Sequence, residues 1–204
     1  MPIAKGQPWG APGPLPEGAV LVRSDAEARA VLEEARRDKA PFPPLGLLGG
    51  DLCHTLGGGG AGAEARLRAG DGVRFTVDAA EALVDGRLHL FVAHLVARNR
   101  IWTRAFVAMN AQWLGRWNLG PRAHPGDGLL DTYDARLPLS QVLAVRSRAH
   151  HGAHLPHPAI RERRVSATQV ELDRRLPVYL DGRRVDAAFT IVLRVLPDAL
   201  VVVV

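Results

Sequence analysis

The sequence predicts an α+β fold in which a truncated α/β fragment is followed by a β-sandwich. Three observations support this: a capped amphipathic helix lies between two short apolar strands, a glycine-rich segment follows, and the remainder contains β-like runs separated by Asp-Gly turns. A strand–helix–strand order is typical of a parallel α/β layer, whereas many short strands with frequent turns favour a sandwich. The predicted divisions are an extended arm (1–18), the α/β fragment (19–56), a glycine-rich linker (57–72) and the β-sandwich (73–204).

The N-terminal part contains clear helix and turn signals. The arm is rich in Pro and Gly, and we expect Trp9 to hold it against the body. Ser24 and Glu27 form a capping box ahead of apolar residues at helical spacing, which predicts an amphipathic helix. The predicted elements are, in order, the arm, a strand at 19–23, the helix after Ser24 and a strand at 45–48.

From residue 73 onward the sequence is typical of β-structure. Asp85-Gly86 and Asp181-Gly182 are typical hairpin turns, and Asp127-Gly128 is a turn that leads into an apolar run. The glycine-rich linker before this part is expected to be mobile. The predicted elements are strands at 73–77, 82–84, 88–96, 160–165, 168–172, 178–180, 189–195 and 200–204, an apolar strand containing Phe106, Val107 and Met109, and a short helix at 139–148.

Composition narrows the class of protein. Apolar residues make up 47% of the chain, which supports a sizeable core, and the net charge of +5 favours anionic partners such as phospholipid surfaces, nucleotides or nucleic acid. Cys53 is the single cysteine, so neither an intrachain disulfide nor a cysteine-based zinc site can form. The N-terminus lacks the apolar core of a signal peptide, and no apolar run reaches the length of a membrane span. We therefore expect a cytoplasmic protein, with peripheral membrane contact as an option.

Gly49-Gly50-Asp51 follows an apolar strand at the position where α/β sheets bind ligands. Glycine allows phosphate oxygens to approach backbone N–H groups, and an Asp can orient Mg²⁺ or a nucleotide. The plain alternative is a strand-to-turn transition without a ligand.

Residues 105–131 read AFVAMNAQWLGRWNLGPRAHPGDGLLD: an apolar strand ending at Asn110, an aromatic patch at Trp113 and Trp117, and a Pro/Gly segment before D-G-L-L-D. This string resembles the centre of the diacylglycerol kinase and sphingosine kinase family of lipid kinases. The resemblance covers most of the chain in order. It implies a truncated nucleotide-binding domain followed by a well-matched β-domain and, in an active member, use of ATP and Mg²⁺ to phosphorylate a lipid hydroxyl such as that of diacylglycerol.

The chain departs from the family at positions that carry chemistry. Where the family has the nucleotide-binding signature G-G-D-G-T, Gly49-Gly50-Asp51 is followed by Leu52 and Cys53. The family's opening N-P-x-x-G phosphate loop and its later P-x-G-T-x-N segment have no counterpart here. The resemblance therefore implies weakened binding of ATP.

Two further departures concern the metal and the base. Asp127 matches an Asp that helps hold a structural Mg²⁺ in bacterial members, but the carboxylate three residues earlier is replaced by His124, a poorer ligand for Mg²⁺. Asp181-Gly182-Arg183 stands where the family has D-G-E, whose Glu is the proposed base. Arg183 is a permanent cation, so Asp181 would substitute only if its side chain points toward the substrate. Ordinary turns at both places are the alternatives.

The segment HHGAHLPH contains four histidines, His150, His151, His154 and His157. Imidazole binds zinc well, but the turn residues between them argue against an aligned helix, and a solvated loop is the alternative. The aromatic patch at Trp113 and Trp117 also has two interpretations: it lines a lipid cleft or it packs between sheets.

Arginines dominate the basic residues of the second half, and together they would form a basic edge for anionic lipid headgroups or a solvated charged face. No aromatic residues interleave with them, so nucleic acid is not an expected partner. The arginines concerned are Arg146, Arg148, Arg161, Arg163, Arg164, Arg174 and Arg175.

Two hypotheses of function follow. The first is a lipid-kinase-family protein with degenerate motifs that binds lipid with weak or no phosphotransfer and needs no cofactor. The second is an active lipid kinase dependent on ATP and Mg²⁺. A homo-oligomer in which another chain supplies the missing loops is a further option.

Overall fold

The computed structural model describes residues 9–204 and contains eleven strands and four helices in that range. The part before residue 73 is mixed. Its elements are β1 (Ala11–Pro12), β2 (Val20–Val22), α1 (Asp25–Arg37), β3 (Leu45–Leu47), α2 (Asp51–Thr55) and α3 (Ala63–Ala69).

The remainder is dominated by strands and includes one helix. Its elements are β4 (Val73–Val84), β5 (Arg87–Phe91), β6 (His94–Arg98), β7 (Arg104–Met109), β8 (Leu130–Arg136), α4 (Leu139–Ala149), β9 (Ile160–Val165), β10 (Ala167–Leu180) and β11 (Arg183–Val203). The predicted α+β class, with an α/β fragment before a β-sandwich-type region, is confirmed.

One hydrogen-bonded network joins all of these strands, in the order β1-β4-β11-β10-β6-β7-β8-β9, with β5 beside β4. The α/β fragment joins it through parallel pairing, since β2 pairs with β3 and β3 pairs with the end of β11 at Val202 and Val203. The last strand of the chain therefore pairs with Leu45 and Gly46 of β3, the short strand that leads into Gly49-Gly50-Asp51.

The helix signals at Ser24 are confirmed in detail. The Ser24 hydroxyl accepts the N–H of Glu27 at 3.2 Å, and the Glu27 carboxylate accepts the N–H of Arg23 at 2.7 Å. Leu32 on the apolar face of α1 is fully buried. The N-terminus of α1 is thus held firmly, which positions Asp25, its first residue.

The arm begins outside the described residues, which exclude 1–8. Trp9 does pack on the body as expected: its ring lies 4.8 Å from that of Phe75 and 4.2 Å from that of His124, and its Nε1 donates to the carbonyl of Thr76 at 3.3 Å. Residues 11 and 12 then form β1 against β4.

The prediction of many short strands was wrong for the longest elements. Three predicted pairs of strands are single strands, β4, β10 and β11, whose irregular residues are absorbed as register shifts. Such bulges leave the extra residues unpaired, and pairing resumes beyond the polar or Pro-containing interruption. Conversely, the predicted strand 88–96 is broken at Val92 and Ala93, whose N–H groups bond to a side chain instead of a neighbouring strand.

The predicted linker 57–72 contains helix α3, which the sequence pattern missed. Gly62 and Gly70 bracket this helix in left-handed conformations, and Leu67 is buried. Glycine tolerates positive φ, so a glycine-rich stretch can delimit a short helix as well as loosen a chain. The domain boundaries themselves stay a prediction.

Buried side chains form three clusters within residues 9–204. One lies between α1 and the sheet around β3, one lies around β4, β10 and β11, and one lies beneath α4 against β7 and β8. Among the described residues, no helix has the length and apolar character required to cross a bilayer.

Candidate functional site

The turn after β3 encloses a carboxylate from another helix. Asp25, at the start of α1, accepts the backbone N–H of Asp51 at 2.6 Å and that of Leu52 at 3.1 Å. The glycine before them has φ of +100°, and a Cβ there would lie 2.6 Å from the Asp25 carboxylate. Gly50 is therefore required for the approach of this side chain, and the two N–H groups already hold an anion.

Asp51 makes its own contacts beyond that turn. One carboxylate oxygen lies 2.8 Å from Nε2 of His94, and the other accepts the N–H of Gly115 at 2.9 Å. His94 is the first residue of β6 and is almost fully buried. Asp51 thus links the α/β fragment to β6 and to the loop after β7.

Asp181 is a buried structural anchor in this geometry. Its carboxylate accepts three backbone N–H groups, from Val92 at 3.1 Å, Ala93 at 2.9 Å and His94 at 3.2 Å. Its backbone has φ of +49° in the hairpin turn between β10 and β11. The side chain holds together the break between β5 and β6 and does not project toward solvent.

These groups form a buried electrostatic cluster. Burial, reinforced by the charge of Asp181, raises the pKa of Asp25 to about 6. Burial also raises the pKa of Asp181, despite the opposing charge of His94 and three hydrogen bonds. Burial alone would lower the pKa of His94, but its hydrogen bond to Asp51 and the neighbouring carboxylates outweigh that effect and raise it. The hydrogen bond to Asp51 and the neighbouring carboxylates thus favour the protonated form of His94.

The cluster has the arrangement of a three-ligand cation site. One donor atom from each of Asp25, Asp51 and His94 lies within 4.8 Å of the others. However, the four carboxylate oxygens of the two aspartates already meet N–H groups or the imidazole. Mg²⁺ requires oxygen ligands in near-octahedral geometry, and this set does not fit it without breaking those contacts.

An open cleft of about 430 Å³ begins at His94. Side chains alternate along a strand, so His94, Val96 and Arg98 share one face of β6, and all three line the cleft. The walls come from separate elements and combine aromatic, aliphatic and basic side chains. They include Trp102 after β6, Leu114 and Trp117 in the loop after β7, Arg146 of α4 and Tyr179 of β10.

Comparison with known proteins identifies the β-rich region. Residues 74–204, more than half of the chain, match the family model of the YegS C-terminal NAD kinase beta sandwich-like domain. The chain belongs to this family. The predicted resemblance to bacterial lipid kinases is thereby confirmed at the level of family and fold.

Solved structures extend the similarity beyond the YegS-type domain. A protein of Bacillus anthracis str. Sterne, provisionally named a diacylglycerol kinase, is 15% identical with a TM-score of 0.68, and the alignment covers 91% of this chain and 77% of that one. A second structure, of a diacylglycerol kinase from the same organism, is also 15% identical, with a TM-score of 0.61 and coverage of 91% and 75%. At this identity the likeness concerns the fold. A search of curated proteins finds no match.

The metal residues predicted from the family resemblance have separate partners. Arg164 of β9 makes ion pairs with Asp127 and, at 2.9 Å, with the buried Asp131. His124 packs against Trp9. The Asp127 carboxylate is therefore already paired with a cation of the same chain, the guanidinium of Arg164.

The structure places Asp181 and Arg183, the residues at the base position implied by the family resemblance, on different sides of the turn between β10 and β11. Arg183 is exposed at the first position of β11, while Gly182 lines the cleft. The carboxylate of Asp181 points into the chain and not into the cleft. Of the predicted site residues, the structure brings Gly50, Asp51 and Asp181 to one cluster, and sequence reasoning missed its other members, Asp25 and His94.

The four clustered histidines do not form a three-ligand site within residues 9–204. His154 is buried beside Tyr133, and desolvation lowers its pKa. His150 faces Trp117, and the Nε1–H of Trp117 donates to Nε2 of His150 at 3.3 Å.

The two tryptophans of the aromatic patch have different surroundings. Trp113 stacks on His54, whereas Trp117 lines the cleft.

Proposed function

We propose that this protein binds lipid in the cleft lined by His94, Arg98 and Trp117, and that it has weak or no phosphotransfer activity. The observation that carries the proposal is the position of Asp25, whose carboxylate is hydrogen-bonded to the N–H groups of Asp51 and Leu52. Backbone N–H groups at such a turn are the usual donors to phosphate. In this protein the Asp25 carboxylate already accepts hydrogen bonds from both N–H groups.

A nucleotide phosphate would have to displace that carboxylate and enter a region of negative charge. Asp25, Asp51 and Asp181 lie together, and the imidazole of His94 contacts Asp51. Like charges at short distance in a buried site repel strongly. Phosphoryl transfer depends on positioning and charge neutralisation of the phosphate, and this arrangement opposes both.

The absence of a free base at the family position supports the same proposal. A general base must lie within hydrogen-bond reach of the hydroxyl that it deprotonates. The Asp181 carboxylate is engaged by three N–H groups, and Arg183 cannot accept a proton.

Lipid binding is supported by the cleft and by the outer face of α4. Leu139 and Leu143 are 68% and 75% exposed, and Arg146 follows on the same side of the helix. We name these three residues the α4 surface. An exposed apolar stripe bordered by arginine suits peripheral contact with an anionic bilayer, and Arg146 connects this surface to the cleft.

Calorimetric titration of ATP with Mg²⁺ tests the loss of nucleotide binding. We expect no binding at millimolar ATP, and we expect sedimentation with lipid vesicles that is the same for wild type and Asp51→Ala. Micromolar binding of ATP that is lost in Asp51→Ala would contradict the proposal. Absence of vesicle binding would contradict its lipid part. Light scattering of the same sample shows whether a second chain is present to complete the site.

An active lipid kinase is the second candidate, and one contact favours it. The Asp51–His94 pair lies at the end of the cleft, so an ionisable pair is next to the place a lipid hydroxyl would reach. This function would use ATP and Mg²⁺ and would require rearrangement of Asp25. Transfer of labelled phosphate from ATP to diacylglycerol would establish it.

A further inference from the structure

We infer that the basic end of the cleft binds the phosphate group of an anionic lipid, and this inference rests on the proposed lipid-binding function. The two ends of the cleft carry different side chains. Arg98 and Arg146 line one end, and His94, which is hydrogen-bonded to Asp51, lies at the other. A lipid with a negatively charged headgroup suits this arrangement.

Arg98 is held in a fixed position by two aromatic rings. Its guanidinium carbon lies 4.7 Å from the ring centre of Trp102 and 5.2 Å from that of Tyr179. Stacking between aromatic faces restricts the side chain while leaving its N–H edge for other partners. One of its nitrogens donates to the carbonyl of Asn99.

Arg146 is held similarly, from α4. Its guanidinium carbon lies 5.1 Å from the ring centre of Trp117, which in turn meets Trp102 edge-on at 5.5 Å. The two arginines thus border one continuous aromatic wall. A ligand between them would be approached by two guanidinium groups, which recognise phosphate through paired N–H donors.

These two arginines also differ from others near the sheet in their lack of acidic partners. Arg104 pairs with Asp134 and Asp173, and Arg164 pairs with two aspartates. Within residues 9–204, neither Arg98 nor Arg146 makes an ion pair. Cations that line a cleft without internal counter-ions are available to an anionic ligand.

The opposite end of the cleft determines the orientation of the ligand. His94 and Arg98 are four residues apart on one strand, a separation of about 13 Å at the usual rise of a β-strand. The buried aspartates behind His94 repel a phosphate at that end, whereas the arginines attract it at the other. Val96, Leu114 and Trp102 supply apolar contacts for an acyl chain between the two ends.

A matched pair of short-chain lipids tests the inference. Dihexanoyl phosphatidic acid and dihexanoyl glycerol differ only by the phosphate, and both are titrated into the full chain while tryptophan fluorescence is recorded. We expect the phosphorylated lipid to bind at least tenfold more tightly than the neutral one and also more tightly than inorganic phosphate.

Variants locate the site. Arg98→Gln and Arg146→Gln should each weaken binding of the phosphorylated lipid about tenfold, which corresponds to about 1.4 kcal/mol. Arg148→Gln is the matched control, because Arg148 is an exposed arginine of α4 that does not line the cleft. It should change the affinity less than twofold.

The outcomes separate this inference from the function on which it rests. Equal affinity for the phosphorylated and neutral lipids would overturn the inference and leave lipid binding intact. Binding of inorganic phosphate as tightly as the phosphorylated lipid would also overturn it, because the apolar wall would then contribute nothing. If neither lipid binds, the proposed lipid-binding function itself fails.

Discussion

The carboxylate of Asp25 lies 2.6 Å from the backbone nitrogen of Asp51 and accepts its N–H. This contact joins the first residue of α1 to the turn after β3, and it gives the turn an internal anion. The same carboxylate has a raised pKa, to about 6, because burial and the nearby charge of Asp181 disfavour its ionised form. The contribution of Asp25 to the stability of the folded chain therefore decreases as the pH rises through about 6.

We predict that Asp25→Asn becomes more stable relative to wild type as the pH rises from about 4 to 7. The folded protein holds the Asp25 proton more tightly than the unfolded chain, so its stabilising contribution is complete below about pH 4 and is lost as the pH rises through about 6. Asn does not titrate, and the relative change should be about 2 kcal/mol. Urea unfolding of both proteins at pH 4.5 and pH 7.5 measures it, and a difference that is constant with pH would contradict the assigned pKa.

Removal of the Asp181 carboxylate should destabilise the fold strongly. Asp181→Ala leaves three buried N–H groups without an acceptor, and we expect a loss of about 3 kcal/mol in the free energy of unfolding. Asp181→Asn, which tolerates positive φ and keeps an acceptor, should lose less.

The chain offers a matched control for that experiment in its other Asp-Gly hairpin. Asp85 has φ of +45°, and its carboxylate accepts the N–H groups of Phe189 and Thr190 at an exposed position. Asp85→Ala should cost about 1 kcal/mol, because water can satisfy the freed groups. Equal losses for the two substitutions would mean that Asp181 is an ordinary turn residue.

Arg164→Ala should destabilise the chain by about 2 kcal/mol, because it leaves the buried Asp131 carboxylate without its cation. Burial already raises the pKa of Asp131, and Arg164 opposes that rise. The loss in the variant should therefore grow as the pH increases. Thermal unfolding at pH 5 and pH 8 tests this, with Arg161→Ala, an exposed residue of the same strand, as the control.

The α4 surface should contribute to vesicle binding without contributing to stability. We expect Leu139→Gln with Leu143→Gln to lower the fraction of protein that sediments with vesicles containing phosphatidylglycerol at least threefold, since both side chains are largely exposed. The unfolding temperature should stay close to that of wild type. Phe189→Gln, at an exposed apolar position on β11 next to the Asp85 turn, should leave vesicle binding unchanged.

The local features of this protein could be predicted from the amino-acid sequence alone. The capping box at Ser24, the hairpins at Asp85 and Asp181, and the strand before Gly49-Gly50-Asp51 depend on neighbouring residues, whose preferences act over a few positions. The family resemblance could also be detected from the sequence, because it rests on a contiguous segment, residues 105–131.

The contacts between residues far apart in the sequence are visible only in the folded chain. Asp25 is 26 positions from Asp51, His94 is 43 positions from it, and Asp181 bonds to N–H groups 87 to 89 positions away. The unpaired Arg98 likewise becomes notable only beside Tyr179 and Trp102, from separate elements. Long-range strand pairing creates these contacts, and no local preference encodes which side chains it brings to one end of a cleft.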